Sequence, residues 1–270
     1  MRTIRVLLCL LAGLAPLLMS CSRPAGHGLV SPAPQPRPSV PAQQLGDPGR
    51  GGVAGPVDPD PRVGAVFFDG GNRHSCTASV VHSKGGDLVL TAAHCLSGGS
   101  QAGFVPGFAG NSGDMWTLNE VYFDPRWLAG RDPHADYAIA RVNSEAGGSV
   151  ESHVGLALML GTAPPPGSHV TVLGYPAGVG GSPIGCQAAT SVNDSGFPSV
   201  ACEGLVGGTS GSPWVSGTTI TGLIGGFERG GCAENVSYSA PFDEHIAQLL
   251  ARAEAGGPGD TVPSDLVDTC

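Results

Sequence analysis

The sequence predicts an all-β domain of the barrel or sandwich type over residues 62–253. Two observations support this fold class. Many short β-prone runs are separated by turn signals, and glycine and proline are abundant (44 and 24 residues) while aromatic residues make up only 6% of the chain. Short strands joined by Gly-rich turns are typical of these architectures. At 270 residues, the chain has room for one large domain or two small ones.

The predicted strands fall into two groups along the chain. The Gly- and Pro-rich stretch 155–167 is the expected bridge between an N-terminal and a C-terminal half. Turn signals such as Asp69-Gly-Gly-Asn and Lys84-Gly-Gly-Asp end the early runs. The β-prone runs are 63–68, 77–81, 88–91, 117–123, 137–142, 169–174, 199–202, 214–215 and 219–224.

One amphipathic helix is predicted near the end of the chain. Apolar residues recur at helical spacing over 242–250, with acidic residues at the N-terminal end of the pattern. Gly256-Gly-Pro ends this pattern, since glycine and proline commonly follow a helix C-terminus. A C-terminal tail, 254–270, is expected after the helix.

The first twenty residues read as a secretory signal peptide. Arg2 and Arg5 precede an apolar run, 6–19, that is too short to span a bilayer comfortably. The run ends in Leu18-Met19-Ser20-Cys21, which resembles the bacterial lipoprotein box, and this resemblance implies lipidation of Cys21. The alternative is an ordinary signal peptide that is cleaved nearby.

Residues 21–61 are rich in proline and lack apolar periodicity. Such a segment buries too little surface to offset the entropy of ordering it, so we expect an extended tether or a disposable pro-segment. The formal net charge is −9, and loss of Arg2 and Arg5 makes it more negative. An acidic chain without a basic cluster is not expected to bind nucleic acid, and membrane attachment would come only through lipid at Cys21.

The cysteines indicate an oxidising compartment. The chain has eight; Cys9 leaves with the signal peptide and Cys21 would carry lipid. The others are even in number, which indicates disulfides in an exported protein. No C-x-x-C or H-E-x-x-H spacing is present, so we expect no metal and no cofactor. The remaining cysteines are Cys76, Cys95, Cys186, Cys202, Cys232 and Cys270.

Three short motifs carry the chemistry. Thr91-Ala-Ala-His-Cys resembles the histidine motif of chymotrypsin-like serine peptidases, and Gly208-Thr-Ser-Gly-Ser-Pro resembles their nucleophile motif. Between them, Asp136 opens a short apolar run, as the aspartate of that family does. Asp132 and Asp124 are rivals for this role, but neither opens such a run.

This resemblance implies a Ser-His-Asp triad. Ser210 would attack the scissile carbonyl, His94 would take its proton and pass it to the leaving amine, and Asp136 would orient the imidazole. The backbone N–H groups of Gly208 and Ser210 would form the oxyanion hole.

The resemblance extends over most of residues 63–250. Segments 74–81, 207–213 and 224–227 are similar to stretches of actinobacterial secreted trypsin-like peptidases. The family fold implies two six-stranded antiparallel β-barrels with the active site between them and a C-terminal helix. It also implies polypeptide substrates, and we expect a monomer that is extracellular, either free or lipid-anchored to the outer face of the cell membrane.

Several residues depart from the family pattern. Thr209 stands where animal relatives have the aspartate that receives a new N-terminal ammonium, so activation by that switch is not expected. Gly225 replaces a serine that usually lies beside the triad aspartate.

The resemblance implies a specificity pocket lined by residues 203–209 and 223–231. Glu203 and Glu228 favour a basic P1 side chain there, but Arg229 is adjacent and the usual aspartate at the base of the pocket is not evident. Ile224 replaces the histidine of glutamyl-specific relatives, which disfavours cleavage after acidic residues.

The same resemblance implies disulfide pairings. Cys76 and Cys95 match the histidine-loop bridge of the family. Cys186 with Cys202 is the preferred second pair, and Cys232 with Cys270 would then close the tail. Pairing of Cys202 with Cys232, as in some bacterial relatives, is the alternative.

Taken with the export signal, these residues predict an exported serine endopeptidase that works through an acyl-enzyme intermediate. The alternative is a catalytically weak lipoprotein that uses the peptidase fold as a binding module. Ester hydrolysis by the same triad is a third reading that the sequence leaves open.

Overall fold

The computed structural model describes residues 51–98, 101–233 and 235–263. The predicted signal peptide, Cys21 and most of the Pro-rich segment lie outside the described residues, as does Cys270. Two short strands begin the described chain, β1 (Gly52–Val53) and β2 (Gly55–Pro56).

The first barrel is a closed ring of six antiparallel strands. Its members are β3 (Val63–Phe68), β4 (Arg73–Val81), β5 (Leu88–Thr91), β6 (Ala102–Pro106), β7 (Trp116–Phe123) and β8 (Ala138–Asn143). The order around the ring is β4-β3-β6-β7-β8-β5, and a β4–β5 pairing closes it. Closure removes free sheet edges and lets apolar side chains fill the interior.

Short helices interrupt the first barrel at two corners. Helix α1 (Ala93–Leu96) follows β5 directly. Helix α2 (Pro125–Gly130) and a 3-10 turn (Pro133–Ala135) lie between β7 and β8. Each of these last two begins with an aspartate cap followed by proline, the arrangement that satisfies free N–H groups at a helix start.

The bridge to the second barrel contains α3 (Val150–Val154) and β9 (Met159–Leu160). Gly155 ends α3 at φ 83°, a left-handed conformation that glycine adopts without steric cost. The Gly- and Pro-rich stretch 155–167 then leads into the second barrel.

The second barrel contains six antiparallel strands in the order β16-β13-β12-β10-β14-β15. A hydrogen bond from Gly225 N–H to the Tyr238 carbonyl (3.0 Å) joins its two end strands. A further strand, β11, pairs with β4 of the first barrel, and a 3-10 turn (Phe227–Gly230) follows β15. The six strands of the second barrel are β10 (His169–Gly174), β12 (Ile184–Val192), β13 (Pro198–Glu203), β14 (Pro213–Ser216), β15 (Thr219–Leu223) and β16 (Val236–Tyr238), and β11 (Gly178–Val179) is not one of them.

The C-terminal helix α4 (Glu244–Ala255) packs on the first barrel. The tail behind it stays on that barrel: Asp260 N–H donates to the Val121 carbonyl (2.8 Å), and the Tyr122 hydroxyl donates to the Gly257 carbonyl (2.9 Å). Among the described residues, no helix combines the length and the apolar character needed to cross a membrane.

The all-β prediction with a C-terminal helix is confirmed. Strands β6, β12 and β16 had no predicted counterpart. Strand β12 mixes glycine, alanine and polar residues, which give a weak local β signal, and β6 and β16 each contain only two β-prone residues. The Pro-rich segment also differs from a free tether at its end. Strand β1 pairs with β13 and β2 with β12, so the folded domain extends upstream of residue 62. Backbone pairing of this kind needs no apolar side chains and leaves little trace in the sequence.

Candidate active site

His94 lies in α1, at the edge of the first barrel. The two alanines before it are fully buried, and the Thr91 hydroxyl donates to the Thr77 carbonyl (2.8 Å), which ties β5 to β4 just before the helix. The Cys76–Cys95 disulfide links β4 to α1 itself. Small side chains and the bridge therefore hold the His94 backbone in a tightly packed corner.

Asp136 meets His94 from the loop that leads into β8. Its Oδ1 accepts the His94 backbone N–H (2.9 Å), and its Oδ2 lies 2.8 Å from His94 Nδ1. Oδ2 also accepts the Gly226 N–H (2.8 Å), which comes from the second barrel. The side chain is only 1% exposed. Asp136 thus holds His94 at both backbone and ring, and connects it to the other barrel.

The environment keeps the Asp136 carboxyl ionised. Burial alone would raise its pKa, but the charge of His94 and the hydrogen bonds from His94 and Gly226 outweigh that effect and lower the pKa below its usual 3.8. An ionised acceptor at Oδ2 favours the tautomer in which Nδ1 carries the proton and Nε2 is free to accept one.

Ser210 lies on a tight turn between β13 and β14, and its side chain is partly exposed. The turn requires glycine at two positions. Gly208 has φ 97° and Gly211 has φ 84°, and a Cβ would collide with the Ala177 backbone at the first and with the Thr77 carbonyl at the second. Among the described residues, no hydrogen bond joins the Ser210 hydroxyl to His94. Such bonds are often long without substrate.

Two backbone donors beside Ser210 are free. Within the described part of the chain, neither the Gly208 N–H nor the Ser210 N–H has an acceptor. Nearly all buried N–H groups in proteins are paired, so two unpaired donors within one turn, those of Gly208 and Ser210, are unusual. They have the chemistry of an anion-binding site.

Neutral hydrogen bonds hold the turn that carries Ser210. The Thr209 hydroxyl donates to the Val206 carbonyl (2.7 Å), and Ala177 N–H donates to the Gly207 carbonyl (2.8 Å). From the first barrel, Thr77 donates twice, through its N–H to the Ser210 carbonyl (2.8 Å) and through its hydroxyl to the Gly208 carbonyl (3.1 Å). Thr77 was not among the site residues predicted from the sequence. The only feature of the sequence that could have indicated its role is its position next to Cys76, within the segment 74–81 that resembles the peptidase family.

Two of the predicted disulfides are present in the described residues, Cys76–Cys95 and Cys186–Cys202. The second joins β12 to β13, the strand that leads into the turn that carries Ser210. Cys232 is also disulfide-bonded. Its predicted partner, Cys270, lies outside the described residues.

The rival aspartates have other partners. Asp124 hydrogen-bonds to Arg126 and Tyr137, and Asp132 caps the 3-10 turn and contacts His134. Gly225 lies against Asp136, at the position that the resemblance implies, and the neighbouring Gly226 N–H donates a hydrogen bond to the carboxylate.

The residues predicted to line the specificity pocket divide into two groups. The side chains of Glu203 and Glu228 are exposed. Leu205 and Ile224 are buried in the core of the second barrel. Neither carboxylate is therefore buried at the base of a pocket, where it would select a basic side chain.

A search with protein-family models matches residues 76–222 to the family described as "Trypsin-like peptidase domain". The matched region contains His94, Asp136 and Ser210. A search of curated protein sequences gives no match.

Solved structures share the fold over nearly their whole length. A thermostable serine protease, AL20, from an extremophilic microorganism superposes with a TM-score of 0.64 at 25% identity, covering 73% of this chain and 99% of that one. The protease Anisep from Arthrobacter nicotinovorans gives 0.65 at 22% identity, covering 76% and 100%. A Glu endopeptidase gives 0.60 at 17% identity, covering 77% and 99%.

Proposed function

The chain belongs to the trypsin-like peptidase family, and from this premise we propose that it is an exported serine endopeptidase with His94, Asp136 and Ser210 as its catalytic triad. The observation that carries the proposal is the pair of hydrogen bonds that the Asp136 carboxylate accepts from His94, one from the backbone N–H (2.9 Å) and one from the ring Nδ1 (2.8 Å). In the proposed mechanism, this contact fixes the imidazole that serves Ser210, whose turn has N–H donors without an acceptor among the described residues.

In the first half-reaction, Ser210 Oγ attacks the carbonyl carbon of the scissile peptide bond. His94 Nε2 accepts the hydroxyl proton, and Asp136 stabilises the imidazolium that results. The tetrahedral intermediate then collapses, the C–N bond breaks, and His94 gives the proton to the leaving amine. Water repeats the sequence on the acyl-enzyme and releases the second product.

The oxyanion of each tetrahedral intermediate would bind to the Gly208 and Ser210 N–H groups. Their lack of other acceptors within the described residues supports this role, because preorganised donors need no rearrangement during the reaction. Removing one such donor typically costs about 3 kcal/mol of transition-state stabilisation. A backbone donor cannot be deleted by a side-chain change, but Gly208→Ala would displace it, since a Cβ there collides with the Ala177 backbone.

Export is supported by two kinds of observation. The disulfides Cys76–Cys95 and Cys186–Cys202 fit an oxidising environment outside the cytosol. The N-terminal sequence has the features of a signal peptide that ends in a lipoprotein-type box at Cys21. We include lipid anchoring at Cys21 in the proposal. Mass spectrometry of the membrane fraction, compared with that of a Cys21→Ser variant, tests it.

Labelling with a fluorophosphonate probe tests the triad directly. The full-length protein should be labelled at Ser210, and Ser210→Ala should lose the label and about 10⁴-fold or more of its peptidase rate. Circular dichroism of both proteins serves as the folding control. A wild-type protein that folds but takes up no label would favour the alternative, a lipoprotein that uses the peptidase fold only for binding.

A further inference from the structure

A polar network with a buried aspartate and tyrosine and a partly exposed arginine lies directly behind the loop that carries Asp136. It consists of Asp124, Arg126 and Tyr137, and is called the anchor network below. We propose that the anchor network positions Asp136 against His94, so that its three side chains are positioning residues for catalysis. The inference rests on the triad proposed above.

Tyr137 connects the network to Asp136 through a single peptide bond. Its side chain is fully buried, and its hydroxyl donates to Asp124 Oδ2 (2.8 Å). The Asp136 backbone is held only loosely by its own turn, where its N–H lies 3.4 Å from the Pro133 carbonyl. The buried tyrosine ring is therefore a fixed point one residue from Asp136.

Asp124 receives more hydrogen bonds than its position requires. A helix cap needs one, and Asp124 Oδ1 accepts it from the Arg126 backbone (2.8 Å). The carboxylate also accepts the Arg126 Nε (3.0 Å), the Arg126 Nη2 (2.9 Å) and the Tyr137 hydroxyl. At 2% exposure, such a fully paired carboxylate forms a rigid cluster.

The protonation states of Asp124 and Tyr137 preserve the hydrogen bonds of the anchor network. Burial alone would raise the pKa of Asp124, but the hydrogen bonds from Arg126 and Tyr137 lower it overall. The pKa of the Tyr137 hydroxyl is raised, chiefly by burial and by its hydrogen bond to Asp124. Over the working pH range, the tyrosine therefore stays a donor and the aspartate an acceptor.

The network also reaches the C-terminal helix. Arg126 Nη1 lies 3.8 Å from Oδ2 of Asp243, the residue that caps α4. The Tyr137 ring contacts Phe242 edge to face, with centroids 6.0 Å apart. Three parts of the chain, the β7–α2 corner, the Asp136 loop and the start of α4, are thus fixed to one another behind the active site.

The test compares two buried tyrosines of the same barrel. Tyr137→Phe removes the hydroxyl that reaches Asp124. Tyr122→Phe is the matched control, since Tyr122 is 1% exposed and its hydroxyl donates to the Gly257 carbonyl, away from Asp136. We expect Tyr137→Phe to lower kcat by about ten- to a hundredfold with little change in KM, because small misplacements of reacting groups are costly. Tyr122→Phe should change kcat less than twofold.

A second readout does not depend on turnover. The His94 Nδ1 proton, hydrogen-bonded to Asp136, should give a downfield resonance in proton NMR that His94→Ala removes. We expect Tyr137→Phe to shift or broaden this signal and Tyr122→Phe to leave it unchanged. If Tyr137→Phe does not fold, Arg126→Gln replaces it, with the same expected changes in kcat and in the signal.

The outcomes separate the two proposals. Wild-type kcat and an unchanged resonance in Tyr137→Phe overturn the positioning role while leaving the triad intact. Equal losses of kcat in Tyr137→Phe and Tyr122→Phe also overturn it, since they indicate a general loss of stability. A wild-type protein without peptidase activity or fluorophosphonate labelling contradicts the proposed function, and the NMR comparison then still decides whether the network positions Asp136.

Discussion

Replacing Asp136 with asparagine changes the hydrogen bonds of the active site in a way that can be worked out from the structure. The carboxylate accepts three donors: the His94 backbone N–H at Oδ1, and His94 Nδ1 and the Gly226 N–H at Oδ2. An asparagine side chain offers one acceptor oxygen and one NH₂ group in the same two positions. At least one of the three donors must then lose its acceptor.

Two orientations of the amide are possible. With the oxygen at the Oδ2 position, both His94 Nδ1 and the Gly226 N–H stay paired. The NH₂ group then faces the His94 backbone N–H, and neither of these two donors has an acceptor. With the oxygen at Oδ1, only the Gly226 N–H is unpaired, because the NH₂ group donates to Nδ1. The second orientation leaves fewer buried donors unsatisfied and should therefore prevail.

That orientation forces the wrong tautomer on His94. If Nδ1 accepts a hydrogen bond, Nε2 carries the proton and cannot take one from Ser210. We expect Asp136→Asn to lose about 10⁴-fold in kcat at neutral pH, the size of effect expected for a triad histidine in the wrong tautomer. The unpaired Gly226 N–H adds a loss of about 1–3 kcal/mol in the free energy of unfolding.

Steady-state kinetics on a fluorogenic peptide library and urea unfolding measure the two effects. Asp132→Asn is the control, since Asp132 caps the turn just before Asp136 and its side chain does not contact His94. A kcat of Asp136→Asn within tenfold of wild type would refute the assignment of Asp136. An equal loss in Asp132→Asn would show that the loop, and not the carboxylate, is the sensitive element.

Three further predictions concern the stability and maturation of the domain. A protein that begins at Gly51 should be as active as the full chain. One that begins at Val63 lacks β1 and β2 and should unfold at a lower midpoint concentration of urea. Activity that appears only with one particular new N-terminus, and that acetylation of this amine destroys, would contradict the expectation that Thr209 excludes activation by a new N-terminal ammonium. Replacing Cys186 and Cys202 together with alanine should lower the free energy of unfolding by about 3 kcal/mol, from the sequence separation of 16, as measured in urea. The pKa of Asp136 is lowered on folding from its usual 3.8, so its contribution to stability is fully present above that value and is lost as the pH falls through the lower pKa of the folded state. Thermal unfolding at pH 7 and pH 3 should show a smaller difference for Asp136→Asn than for wild type, and equal differences would contradict the lowered pKa.

Local sequence was sufficient to identify His94 and Ser210 as candidates. Each lies in a run of small residues and glycines, where the backbone conformation depends on the residues themselves: Gly208 and Gly211 both have positive φ. The helix over 242–250 was equally readable from its apolar spacing. These features involve neighbours in the chain, so that residue type and spacing carry the information.

Long-range contacts decided the rest of the site. The Gly226 N–H reaches Asp136 from 90 residues away, and the Tyr175 N–H reaches the Thr77 hydroxyl from 98 residues away. No residue pattern near Asp136 indicates these donors, because a backbone N–H is the same at every position. The sequence by itself determined the chemical groups and the short turns that present them. The sequence favoured Asp136 over Asp124 and Asp132, but only the tertiary structure brings it to His94, because that contact depends on the pairing of β5 with β8, which sets Thr91 opposite Ala138.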